Sequence, residues 1–346
     1  MKECTKLEKL AVEDAVGHVL AHDITEIKPG EDKGPAFKKG DIIKEEDIPH
    51  LLDLGKRHIY IWEKKPGYLH ENEAAARLAD LGQGKNVKRS EPSEGKINLY
   101  AAKEGLLKID KELLFKINIK DKLMMAARHN YTPVKEGDYL AGTRIIPLLI
   151  AEEELEAVEA EIKNQKIINV IPYESKKAAI ITTGSEVYNG RIKDKFTPIV
   201  EEKLSNYNIR TVHKRLVTDD KGLISEAIEK AIASGVDIVV CTGGMSVDPD
   251  DLTPAAISKT ADEIITYGAP VLPGAMFMLG YQNDIPLVGL PGCVMFSKTT
   301  VFDLMLPRIA INEKLTREDI AAYGHGGLCL SCDTCVYPDC NFGKGV

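Results

Sequence analysis

Ile180-Ile181-Thr182-Thr183-Gly184-Ser185-Glu186-Val187 is answered about sixty residues later by Cys241-Thr242-Gly243-Gly244-Met245-Ser246-Val247-Asp248-Pro249-Asp250-Asp251-Leu252-Thr253-Pro254. Each half is an apolar run that ends in a turn of small residues, where backbone N–H groups can approach a ligand that side chains would otherwise keep away. Carboxylates sit beside both turns. Amide donors suit phosphate, and Asp or Glu side chains suit a metal ion or a pterin, so the pair reads as a pocket for a phosphorylated, acidic small molecule.

Working outward, residues 177–312 alternate strand and helix with short loops, the pattern of a parallel sheet covered on both faces. Strands are expected at residues 178–182, 209–213, 236–241 and 287–290, with helices at 194–205, 220–233 and 295–311. Thr218-Asp219-Asp220 reads as a helix cap. In an open α/β sheet, ligands bind outside the carboxyl ends of the strands. Gly184, Gly243-Gly244 and Pro291-Gly292 all fall at that edge, so three turns distant in sequence are expected to converge on one ligand. Ser185 and Ser246 belong to no nucleophilic triad, because no histidine occupies a comparable glycine turn. Met276, Phe277 and Met278 read as core.

Upstream, residues 1–64 mix short apolar segments and turns, including a helical segment at 48–54 and a strand-like His58-Ile59-Tyr60-Ile61-Trp62. They form a small α+β or mostly β module. Residues 65–176 are a second α+β region, with a helix at 72–81, short strands near 106–109 and a Glu-rich helix at 151–162 read as a solvated face. Ile171-Pro172-Tyr173 marks entry to the α/β domain.

Four of the seven cysteines lie near the carboxyl end, as Cys329, Cys332, Cys335 and Cys340 within residues 324–346. In a reducing compartment, C-x2-C-x2-C-x4-C points to four thiolates around zinc or an iron–sulfur cluster more than to disulfides. The alternative is a redox-active or structural pair.

The chain has 346 residues, 44% of them hydrophobic, and a formal net charge of -8. That is enough for two or three compact cores, and it argues against a dominant nucleic-acid surface, which needs clustered Lys and Arg. No apolar run approaches the roughly 18 to 20 residues of a membrane span, and the charged start lacks a signal-peptide core. A cytoplasmic location is the expectation.

Three of these motifs resemble the molybdopterin-binding domain shared by molybdopterin adenylyltransferase and molybdopterin molybdenumtransferase, the two enzymes fused in gephyrin. Thr183-Gly184-Ser185-Glu186-Val187 is similar to the transferase's T-G-D-E-L, Thr242-Gly243-Gly244 through Asp251-Leu252-Thr253-Pro254 to the adenylyltransferase's T-G-G-T-G...R-D-V-T-P, and Leu290-Pro291-Gly292 to the L-P-G of both. Ala15-Val16-Gly17-His18-Val19-Leu20-Ala21-His22-Asp23-Ile24 and Gly40-Asp41-Ile42-Ile43 extend the likeness toward the molybdenumtransferase. Departures are equally legible. The D-N-S-A-M-D-G segment is not found, P-G-K-P has become Pro273-Gly274-Ala275-Met276, G-D-Y-D reads Asp248-Pro249-Asp250-Asp251, and the cysteine tail is expected to stand in place of the family's C-terminal β domain.

The resemblance implies a three-layer domain that binds adenylylated molybdopterin and molybdate, cleaves the pyrophosphate link, and releases AMP as molybdenum enters the dithiolene. Asp251, Glu186 and Asp219 would be the catalytic residues, the first two holding Mg2+. Thr183, Gly184, Ser185, Thr242, Gly243, Gly244, Ser246, Asp248 and Asp250 would hold the ligand, with Pro291 and Gly292 on the pterin side. A homodimer and a molybdenum enzyme apoprotein as acceptor follow from the same resemblance. Two other readings are a non-catalytic molybdopterin carrier or sensor and a molybdopterin adenylyltransferase. The bland alternative for Asp219, Asp248 and Asp250 is service as turn and helix caps.

Overall fold

The computed structural model describes all residues except 1–7, 27–33, 62–65, 94, 247 and 346. Trp62, at the end of an expected strand, Val247 and the charged N-terminal segment thus lie outside the described residues. The chain divides into two compact units, Met1–Ala102 with Ile109–Arg128 and Glu136–Asn169, and Lys103–Lys108 with His129–Lys135 and Val170–Val346.

In the first unit, Val12, Leu20, Ile24, Ile43, Leu51 and Ile59 form a core beneath the helix Ile48–Asp53 and the strand His58–Ile61, which pairs antiparallel with Glu8–Ala11. A four-stranded antiparallel sheet follows, in the order Val87–Arg89, Lys96–Ala101, Tyr139–Ile145, Leu123–Ala127. Against it lies the helix Glu71–Gly82, which buries Ala74, Ala75, Leu78 and Ala79 at helical spacing. His70 starts that helix. Its Nδ1 accepts from the Asn72 N–H at 3.3 Å, and its backbone N–H donates to Glu73 at 3.2 Å, the two halves of a capping box. With Nδ1 acting as acceptor, Nε2 carries the proton and donates to the Ala21 carbonyl at 2.7 Å. Burial pushes the His70 imidazole down to about 4, against the opposing pull of that carbonyl.

The Glu-rich helix Glu152–Ile162 buries Leu155, Val158 and Ile162, but its acidic face is not simply solvated. Arg77 forks onto Glu159 at 2.8 and 2.6 Å and reaches Glu152 at 2.9 Å, while Lys122 meets Glu154 at 2.6 Å.

The second unit is built on six strands, β1 (Lys176–Thr183), β2 (Ile209–Val217), β3 (Ile238–Thr242), β4 (Glu263–Tyr267), β5 (Met278–Gln282) and β6 (Ile285–Leu290). Their order across the sheet is β2-β1-β3-β6-β5-β4. The first four in that order are parallel, as expected, and β5 and β4 add an antiparallel edge that the sequence reading did not anticipate.

Alternation explains why these strands read as unbroken apolar runs. Ala178, Ile180, Ile238, Val240 and Val288 enter one core with the helices Phe196–Ser205 and Val301–Ala310, whereas Ala179, Ile181, Val239, Cys241 and Leu287 enter another with Lys221–Ala233 and Thr253–Thr260. Both faces are therefore buried, giving three layers. The expected helix at 295–311 is shorter. A turn of 3-10 helix spans Gly292–Met295, and the α-helix begins only after Thr300, whose hydroxyl and the Asp303 carboxylate form its cap.

Candidate ligand-binding site at the sheet edge

From β1 the chain crosses to β2 on one side, then returns past β1 to β3 on the other, so the connections diverge at the carboxyl ends of β1 and β3. Such a switch point opens a crevice. Register sets what lines it. Thr183 pairs with Val217, Thr182 with Thr242, and Thr242 with Leu290. Gly184, Thr218, Gly243 and Pro291 consequently leave the sheet from neighbouring strands at one level, which brings the three expected turns to one edge.

Glycine is required at the first two. Gly184 has φ +133° and Gly243 has φ +86°. A Cβ on Gly243 would lie 2.3 Å from the Thr183 carbonyl oxygen, so the second turn packs directly on the first. Gly244 continues in the left-handed region at φ +53°, and a Cβ there would stand 3.0 Å from the Thr253 hydroxyl, 3.2 Å from the Thr183 hydroxyl and 3.7 Å from Asp219 Oδ1.

Side chains lock the turns together. Asp219 Oδ2 accepts from the Ser185 N–H at 2.8 Å and from the Ser185 hydroxyl at 3.0 Å, and that hydroxyl also lies 3.1 Å from Thr218 Oγ1. Thr183 and Thr253 share a buried hydroxyl contact of 3.1 Å. Below them, Thr242 donates to Thr182 at 3.3 Å, Thr182 meets Thr197 at 3.0 Å, and Thr197 donates to Asp194. A carboxylate can only accept, so Asp194 sets the direction of the whole chain of hydroxyls.

The acidic loop is held by its own groups. Asp251 Oδ2 accepts from the Ser246 N–H at 2.8 Å, and Asp248 Oδ1 from the Asp250 N–H at 3.2 Å. The Tyr267 hydroxyl donates to the carbonyls of Met245 and Ser246 at 3.1 and 3.3 Å. Burial, reinforced by the nearby Asp251 charge, raises that phenol above its usual range.

The structure thus brings Thr183, Gly184, Ser185, Asp219, Gly243 and Gly244 into one constellation, with Thr242 directly beneath and Ser246 and Asp251 on the adjoining loop. Glu186 is exposed beside Gly184, and Asp248 and Asp250 are exposed on the loop. Pro291 is buried where β6 ends, and Gly292 is exposed with open space around its Cα. Thr253, which the sequence offers as a residue of the turn and of the start of the following helix, also meets Thr183, whereas Tyr267, Thr197 and Asp194 were missed as contributors. Their side chains meet the turns only through tertiary contacts.

The expected metal sites look different in three dimensions. Among the described residues, no group of three or more His, Cys, Asp or Glu side chains is placed to hold a metal ion. Asp219 and Asp251 spend a carboxylate oxygen on amides, and Glu186 points to neither in any hydrogen bond among the described residues. In the tail, Cys329 and Cys340 pack against the core under the helix Val301–Ala310, Cys335 contacts Thr299, and Cys332 is exposed. The four thiols are free and are not gathered around one point.

No helix among the described residues is long and apolar enough to cross a membrane. Residues 179–311 match the family model described as a probable molybdopterin binding domain, and residues 9–63 match a domain of unknown function, DUF8806. Over 138 residues the chain is 30% identical to a molybdopterin adenylyltransferase of Pyrococcus furiosus, which covers 36% of this chain and 81% of that protein. Over 112 residues it is 37% identical to a CinA-like protein of Thermotoga maritima, covering 32% of this chain and 27% of that one. The chain spans only 20% to 27% of the length of the CinA-like proteins that it matches first. A solved structure of the molybdopterin biosynthesis enzyme MoaB of Thermus thermophilus aligns at 18% identity and a TM-score of 0.36, over 41% of this chain and 98% of that one. On the match to that family model and to the adenylyltransferase, the chain belongs to the family of the probable molybdopterin binding domain.

Proposed function

We propose that the edge formed by Gly184, Ser185, Gly243 and Gly244 binds molybdopterin, free or adenylylated, in molybdenum cofactor biosynthesis. The observation that carries this reading is the direct packing of the second glycine turn on Thr183, with Asp219 pinning the first turn through Ser185 and Thr183 meeting Thr253. Fixed amides need no reorganisation when a phosphate arrives, which is how a neutral backbone holds an anion selectively. Thr218 and Thr253 add hydroxyls that can donate or accept.

The reaction we assign to the site is insertion of molybdate into adenylylated molybdopterin with release of AMP. Asp219 would fix the Gly184–Ser185 turn by accepting the Ser185 N–H and Asp251 would fix the acidic loop by accepting that of Ser246, which leaves the amides of Gly184, Gly243 and Gly244 as the donors for phosphate. Pro291 and Gly292 would bound the pterin side, where Gly292 leaves room for a flat ring. The product would pass to a molybdenum enzyme apoprotein, and the protein would work as a homodimer.

A second reading, a carrier or sensor that binds molybdopterin without turnover, draws support from the same carboxylates. Asp219 is engaged by Ser185 of the first glycine turn and Asp251 by Ser246 of its own loop, so neither is poised as a base. Single-turnover incubation with adenylylated molybdopterin, with and without molybdate, separates the two. Molybdate-dependent AMP release that fails in Asp251→Ala supports insertion, and bound pterin with no AMP in either case supports the carrier.

A further inference from the structure

The cysteine tail occupies four different environments, and the differences carry a chemical consequence. The segment is docked by its ends. Across the Leu272–Leu328 bridge the Leu272 N–H donates to the Gly327 carbonyl and the Cys329 N–H donates to the Leu272 carbonyl, each at 2.8 Å, the Tyr337 hydroxyl donates to the Asp303 carbonyl at 3.0 Å, and Phe342 is buried in the core. Between these anchors, residues 330–336 run along the surface. Cys329 and Cys340, outside that stretch, are half-buried and packed against apolar side chains. Cys332 and Cys335 are exposed and two residues apart, the C-x-x-C spacing in which one sulfur can reach the other.

The two exposed sulfurs differ as well. Cys335 Sγ lies 3.3 Å from the hydroxyl of Thr299, a residue itself only 6% exposed. The Thr299 hydroxyl can donate to that sulfur, and a hydroxyl donating to sulfur favours the thiolate. Elsewhere in this unit burial does the opposite. It pushes Cys241 up to about 12 and raises Cys293. Reactive thiols are those that are both accessible and favoured as thiolates, whereas buried apolar ones are inert.

We propose that Cys335 and Cys332 are a redox-active dithiol, with Cys335 the attacking sulfur and Cys332 the resolving one. The co-reactant is a low-molecular-weight disulfide. Cys335 attacks its S–S bond and expels one thiol, leaving a mixed disulfide at Cys335. Cys332 then attacks the Cys335 sulfur and expels the second thiol, closing a Cys332–Cys335 bond. Two protein thiols become one disulfide, and the two electrons and two protons leave on the two expelled thiols.

Reduced full-length protein is incubated with oxidised glutathione, quenched by alkylation, and mapped by peptide mass. The wild type should form the Cys332–Cys335 disulfide while Cys329 and Cys340 stay alkylatable, and Cys332→Ser should trap glutathione on Cys335. Thr299→Val should slow the first step about 2- to 3-fold at neutral pH. Losing one hydrogen bond of roughly 1 kcal/mol lowers the thiolate population about 5-fold, and the greater nucleophilicity of a more basic sulfur offsets close to half of that on a logarithmic scale. First trapping at any other cysteine overturns the assignment. So does tight uptake of one zinc ion that protects all four tail thiols together, which would mean that the tail closes around a metal.

Discussion

Replacing Asp219 by alanine removes one carboxylate oxygen that accepts two hydrogen bonds from Ser185, at 2.8 and 3.0 Å. Bonds to a charged acceptor contribute roughly 1.5–3 kcal/mol when buried, and Asp219 is only half-buried, so about 1 kcal/mol each is the appropriate scale. The Gly184–Ser185 turn is then released from about 2 kcal/mol of restraint. If the ligand needs the restrained turn, its apparent affinity falls with the competent population, by about 30-fold. Ser185→Ala loses only the hydroxyl bond and keeps the amide bond, so its loss should be about 5-fold. Molybdopterin binding followed by equilibrium dialysis, with thermal unfolding of each variant as a control, measures both. An affinity for Asp219→Ala within about 3-fold of wild type, in a protein that still unfolds cooperatively, would refute the reasoning and leave Asp219 as a structural tie to Ser185, the helix cap being Asp220.

Gly243→Ala should destabilise the second unit by about 2 kcal/mol or more and abolish pterin binding, because positive φ and a clash with the Thr183 carbonyl act together; denaturant midpoints and dialysis check it, and a tolerated alanine would show that the turns do not touch. Arg308→Ala should cost roughly 3–5 kcal/mol. The residue is 1% exposed, its guanidinium stacks 4.1 Å from the Tyr131 ring centre and pairs with Glu313 at 3.1 Å and Asp319 at 2.6 Å, so its loss opens a cavity and leaves Glu313 with Lys108 alone as an ion-pair partner. His70 predicts acid sensitivity of the first unit. Its folded pKa lies below the unfolded value of 6.5, so the unfolded state binds the proton more readily, and stability present above pH 6.5 is lost as pH falls toward 4, by about 3 kcal/mol in all. Urea midpoints of wild type and His70→Gln between pH 7 and 4 test this, and equal slopes in the two would contradict it.

Much of the second unit was legible because its inner strands are buried on both faces. Residues such as Ala178 to Ile181 and Ile238 to Cys241 have to be apolar without interruption, and the turns after them must be small. The antiparallel edge was not legible for the opposite reason. Glu263–Tyr267 carries exposed polar positions, and Met278 reads equally well as generic core. In the first unit, the helices Glu71–Gly82 and Glu152–Ile162 announced themselves through spacing, but Arg77, which neutralises two residues of the second, comes from far away in sequence. The same limit applies at the site. Glycines reveal turns, yet whether a carboxylate faces a metal or its own backbone depends on loop geometry. Asp219 and Asp251 proved to face amides. The cysteine spacing likewise permits a tetrahedral cluster or a reactive pair, and only placement distinguishes Cys335 on Thr299 from Cys329 and Cys340 in the core.

The central claim is that molybdopterin sits on the amides of Gly184, Gly243 and Gly244, in turns that Asp219 and Asp251 hold through Ser185 and Ser246. The most direct test is a titration of isotope-labelled protein with molybdopterin while the backbone amide resonances are followed by NMR. The account predicts that the largest shifts cluster on those three amides and on Gly292, with slower solvent exchange at the same three. Saturable binding whose shifts lie elsewhere, or the absence of binding at millimolar ligand, would contradict it.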